Sequence, residues 1–122
     1  MKKILFYFGA FAVLTLFFAS CGKDPSFDES LLIGKWRVGT TQEFYRFNAN
    51  HTGVNWDESD DVSEEEGTKF NWSLKSADLH FGFIEPMTGV VIPEIYTVTV
   101  LTSTTLTLRD DIGRRTSFTK VN

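Results

Sequence analysis

The chain has 122 residues, of which 42% are hydrophobic and 15% aromatic, and it carries a formal net charge of −4. That length supports one domain with a modest core. The acidic balance, with no basic stripe anywhere, excludes a reader of the phosphate backbone and leaves nucleic acid off the list of expected partners.

Met1, Lys2 and Lys3 give a positive start, residues 4–18 carry no charge, and Ala19 and Ser20 lead into Cys21. Basic start, apolar middle and small residues are the layout of a secretory signal. The apolar run is also shorter than the ~20 residues a spanning helix needs. Phe18-Ala19-Ser20-Cys21 resembles the bacterial lipobox, with phenylalanine where leucine is usual. Cys21 is the only cysteine, so it has no partner for an internal disulfide. The resemblance implies cleavage before Cys21 and three acyl chains on the new N-terminus, enough to hold a protein stably on a membrane. The expected division is a signal peptide over 1–20, the lipidated cysteine and a tether over 21–30, and a folded domain over 31–122. Removing 1–20, with two lysines and no acid, takes the formal charge to −6. An acidic domain is not drawn to anionic lipid, so the anchor falls to Cys21. The expected location is the bacterial cell envelope, at the outer membrane.

Ser26 or Asp28 can cap a short helical turn through Leu32 that ends at Gly34. From there the apolar period is two. Trp36 and Val38 share a side, then Tyr45 and Phe47, and, after a turn over 48–53, Val54 and Trp56. An acidic stretch, 57–66, precedes Phe70, Trp72 and Leu74. Ser76-Ala77-Asp78 leads into Leu79, Phe81 and Phe83. A long connection over 85–94 is followed by Tyr96, Val98 and Val100, by Leu106 and Leu108, and, past a turn over 110–113, by Thr116, Phe118 and Lys120. About eight short strands joined mostly by hairpin loops predict an all-β, up-and-down barrel, which leaves no open sheet edge.

Gly34-Lys35-Trp36, opening the first strand after a helical turn, matches the Gly-x-Trp signature of lipocalins. With Tyr45-Arg46-Phe47-Asn48-Ala49, Thr52-Gly53, Trp56-Asp57-Glu58, Phe70-Asn71-Trp72, Tyr96-Thr97-Val98 and Thr116-Ser117-Phe118, the run from 33 to 121 resembles the small lipocalin-like domain of Gram-negative bacterial lipoproteins. The resemblance implies a calycin-type barrel whose closed end is plugged by Trp36. It also implies an arginine packed over that tryptophan, with Arg114 and Arg115 as the candidates. Roughly ninety residues for eight strands make each strand short, and an eight-stranded interior is one that side chains can just fill.

Ten aromatic residues read onto the inward face, Trp36, Tyr45, Phe47, Trp56, Phe70, Trp72, Phe81, Phe83, Tyr96 and Phe118, and most are expected to be core. Trp56 and Trp72 stand as ligand-binding candidates on the walls, because a buried indole N–H needs a polar partner. Met87, Val90, Val91 and Ile92 make the 85–94 connection unusually apolar, so Met87, Val91 and Ile92 are candidates for the mouth. The acidic stretch fails the spacing of a calcium loop, with Val62 at the glycine position and Thr68 at the last carboxylate position, and reads as a solvated loop. His51 and His80 lack companions at metal spacing. Nothing marks a nucleophile, base and orienter. No catalytic residue, metal or cofactor is expected beyond the lipid on Cys21. Two functions remain: a tethered, non-catalytic binder of a small hydrophobic or amphiphilic ligand, and a solid barrel that contacts another envelope protein.

Overall fold

The Asp28 carboxylate accepts from the Ser30 amide at 3.0 Å and so caps a single 3-10 turn, Glu29–Leu32. The structure, a computed structural model, describes residues 26–121. The expected signal peptide over 1–20 and Cys21 lie outside the described residues. Eight strands follow the turn: β1 (Gly34–Val38), β2 (Glu43–Phe47), β3 (Thr52–Asp57), β4 (Thr68–Lys75), β5 (Asp78–Ile84), β6 (Val91–Leu101), β7 (Thr105–Arg109) and β8 (Arg115–Lys120). Each pairs antiparallel with the next, and β8 returns to β1 through Trp36↔Lys120 and Val38↔Phe118, so the sheet closes into a barrel. This is the up-and-down barrel that the period-two patterning predicts.

Turn chemistry sets where the chain reverses. His51, Ser76 and Gly113 all have positive φ (67°, 54° and 89°) at the tips of three hairpins. Because hairpins alternate in direction, the connections divide between two ends. Residues 48–51, 76–77 and 102–104 share one end with the 3-10 turn, and residues 39–42, 58–67, 85–90 and 110–114 share the other.

The first end is closed by packing. Trp36 is fully buried, and its indole N–H donates to the Leu32 carbonyl oxygen at 2.8 Å, tying the 3-10 turn across the barrel floor. The cation above Trp36 is Lys120, not Arg114 or Arg115. Its Nζ lies 5.0 Å from the ring centroid and donates to the Leu31 carbonyl oxygen at 2.9 Å. The register decides this: Lys120 pairs with Trp36, whereas Arg114 lies in the β7–β8 turn and Arg115 opens β8, both at the opposite end. Leu79, Leu106 and Val98 complete the floor, and Phe47, Phe70 and Phe81 stack edge-on or tilted above it with centroids 5.2–5.9 Å apart.

Gly53 makes that packing possible. It stands opposite Phe70 on the inner face, and a Cβ there would run into both the Phe70 ring and the Arg46 carbonyl oxygen.

Two details depart from simple alternation. A bulge between Val98 and Val100 turns Val100 outward, 40% exposed, and brings Leu101 into the core instead. The connection expected over 85–94 is shorter, since β6 begins at Val91 and Val91–Thr97 pair with β5. Proline inside a strand is tolerated where one side of the strand lacks a partner. Pro93 meets that condition, because β6 pairs with β7 only from Thr97 onward.

Candidate functional site

At the end away from Trp36 the barrel is not filled. A cavity of about 270 Å³ opens there, lined by Val38, Glu43, Tyr45, Phe81, Tyr96, Leu108, Thr116 and Phe118. Val38, Glu43, Leu108 and Thr116 sit at or beside the strand ends that face the mouth, whereas Tyr45, Phe81, Tyr96 and Phe118 reach the cavity from mid-strand positions. The volume lies just below the ~300–1,000 Å³ usual for small-molecule sites, so any occupant is small.

The walls are aromatic and tightly posed. Tyr45 meets Phe118 edge-on at 5.5 Å and Phe81 at 6.0 Å, and Phe81 meets Tyr96 edge-on at 5.7 Å. The polar groups are few. Asn55 Nδ2 donates to Glu43 Oε2 at 3.1 Å and to the Phe44 carbonyl oxygen at 3.0 Å, which holds the carboxylate in place. Tyr96 donates its hydroxyl to Glu94 Oε1 at 2.5 Å. Burial, and then that bond to Glu94, push the Tyr96 phenol up to about 12. Burial raises Tyr45 as well, with the charges of Glu43 and Glu94 and the neighbouring Tyr96 adding to it. Both phenols are therefore neutral donors at ordinary pH.

The residues expected to form the site from sequence fall elsewhere. Trp56 is buried, but on the outer face. It pairs with Phe44 across β2–β3, stacks on it at 5.4 Å, and lies with it beneath Lys35 Nζ at 4.7 and 5.4 Å from the two rings. Its indole donates to Glu58 at 3.2 Å. The register explains the inversion: Glu43, Tyr45 and Phe47 point inward, so Phe44 and its partner Trp56 point out. Trp72 does point inward, but in the closed half. There it is T-packed on Phe47 at 5.5 Å and on His51 at 4.7 Å, and its indole donates to the Thr52 carbonyl oxygen at 3.0 Å.

Met87 is 90% exposed at the tip of the β5–β6 hairpin, and Val91 and Ile92 are about half exposed above the rim. Glu85 shapes that tip by accepting from the amides of Met87 and Thr88 at 3.0 and 2.9 Å.

The acidic stretch is a folded element. It forms two 3-10 turns, Glu58–Asp60 capped by Asp57 and Glu64–Glu66 closed by a capping box between Ser63 and Glu66. Glu64 bonds Arg46 on the outer face at 2.5 Å, and Gly67 lets the segment pass close over Trp56 and Val54. Beside it runs an outer groove of about 490 Å³, lined by Arg46, Glu64, Lys69 and Asn71 among others. The groove is less suited to a ligand than the mouth, because its arginine already carries a carboxylate and Phe70 is the one aromatic residue in its lining.

No protein-family profile matches the chain, and no curated protein matches it in sequence. In structure, a lipocalin-like protein from Bacteroides uniformis is similar to this chain: it superposes with a TM-score of 0.57 at 19% identity, over 74% of this chain and 98% of that one. At that identity the likeness bears on the fold alone, and the fold is lipocalin-like.

Proposed function

We propose that this chain is a lipid-tethered binding protein of the bacterial envelope, which holds a small hydrophobic or amphiphilic ligand in the mouth of its barrel without transforming it. The observation that carries the reading is the 270 Å³ cavity walled by Tyr45, Phe81, Tyr96, Leu108 and Phe118 at the mouth of the barrel. Burial of apolar ligand surface there contributes ~25 cal/mol per Å², while Glu43 and the two hydroxyls orient the ligand.

Titration of residues 24–122, which contain the whole closed barrel, with planar and amphiphilic small molecules tests this by protein fluorescence. A saturable change that is lost in Thr116→Trp, a variant that fills the mouth from an exposed position, supports the reading. Flat titrations across the panel reject it. The tether on Cys21 is tested by fatty-acid labelling and intact mass: the label is expected in the wild type and absent in Cys21→Ala. An unlabelled wild type, cut elsewhere, ends that part of the reading.

A second reading has its own observation. Met87, Val90, Val91, Ile92 and Ile95 are 47–90% exposed along one hairpin, and such apolar tips serve as contact surfaces for partner proteins. Under that reading Met87→Ser with Val90→Ser abolishes association with an envelope partner and leaves ligand titrations unchanged.

A further inference from the structure

The ligand class follows from the charges around the mouth, and this inference rests on the binding reading above. Three observations converge. First, the cavity lining includes a carboxylate, Glu43, and two neutral phenols, but no lysine, arginine or histidine. A ligand carboxylate entering it would meet Glu43 with no compensating cation. Second, Tyr45, Phe81, Tyr96 and Phe118 present four aromatic rings around the same space. Ring faces attract cations, and enclosing rings are a general solution for holding ammonium groups.

Third, the rim is acidic. Segments 57–66, 85–90 and 109–115, all at this end, hold ten Asp and Glu against three arginines. One of those arginines, Arg114, is bound to Asp110 at 3.0 Å. A cleft lined by one sign of charge concentrates ions of the other sign and speeds their entry.

We propose that the mouth takes a small organic cation: a flat apolar body bearing a protonated amine or quaternary ammonium, with the cationic head at Glu43 and the body between Phe81, Tyr96 and Phe118. Glu43 is suited to the role because Asn55 fixes one of its oxygens and so orients the carboxylate before a ligand arrives.

Three ligands that share one ring and differ in charge test it by calorimetry: tryptamine, the neutral alcohol tryptophol, and indole-3-propionate. Tryptamine is expected to bind residues 24–122 at least tenfold more tightly than indole-3-propionate, with tryptophol between. Raising the salt concentration is expected to narrow the span, because the rim contribution is screened. Glu43→Gln keeps the bond to Asn55 and removes the charge. It is expected to cost tryptamine about tenfold and to change tryptophol less than twofold. Equal or tighter binding of the propionate overturns the proposal, as does an unchanged tryptamine affinity in Glu43→Gln. If none of the three binds while another molecule of the wider panel does, the cation proposal falls and the pocket stands. If nothing binds, both fall.

Discussion

The two ends of this barrel are built from the same alternating strands and do opposite things. At the Trp36 end, a 3-10 turn folds across the opening, and Leu32, Trp36, Leu79, Val98 and Leu106 join the buried core. At the far end the inward positions pass from phenylalanine and leucine to Glu43, Tyr45, Tyr96 and Thr116, and a cavity remains. A barrel of eight short strands has barely enough interior for its own side chains. Space is left only where no plug segment covers the end and the inward residues carry polar tips that need room. The closed end therefore carries stability and the open end is free to carry recognition.

Substitutions that break the closed end should cost most. Trp36→Ala removes the floor and the anchor of the 3-10 turn, and is expected to cost about 3–5 kcal/mol in denaturant unfolding. A loss under 1 kcal/mol would mean that the plug is dispensable. Gly53→Ala places a methyl against Phe70 and the Arg46 carbonyl oxygen, with an expected cost of about 1–3 kcal/mol. Lys120→Met keeps the apolar stem but loses the bond to Leu31 and the charge over Trp36, for about 1 kcal/mol.

At the open end the effects should be smaller and dependent on pH. The Tyr96 phenol is held up at about 12 in the folded chain, chiefly by burial, whereas an unfolded tyrosine ionises near ~10. The unfolded chain therefore loses its proton first. The stability linked to Tyr96 is complete below pH ~10 and declines as pH rises from ~10 toward ~12. Tyr96→Phe is expected to flatten that decline in melting temperature between pH 9 and 11.5 without abolishing it, since Tyr45 shifts the same way. An identical alkaline profile in the variant would remove Tyr96 as its source.

Much of the fold was legible in the sequence because alternation and turn residues are local. Trp36, Phe47, Phe70, Phe81, Leu106 and Phe118 read as inward and are inward, and of the two caps offered for the first turn, Ser26 and Asp28, it is Asp28 that caps it. The site was not legible, because it depends on register. Trp56 follows Val54 on a period-two face, but nothing local says which face of β3 is the inner one; pairing with β2 decides it. Val100 turned out for a similar reason, a bulge with no mark in its own residues. The rule that a buried indole needs a partner picked out Trp56 and Trp72, yet both find that partner within the protein, in Glu58 and in the Thr52 carbonyl oxygen. The one available hint was Glu43, an acid two residues before Tyr45 on an otherwise apolar face.

The most direct test of the division between the two ends is an amide chemical-shift map of residues 24–122, titrated with the tightest binder from the fluorescence panel. Shifts concentrated at Val38, Glu43, Tyr45, Tyr96, Leu108 and Thr116, with Trp36, Trp72 and the 3-10 turn unmoved, are the predicted result. Shifts confined to the Met87 hairpin, to the outer groove beside Arg46, or to the Trp36 end would contradict it.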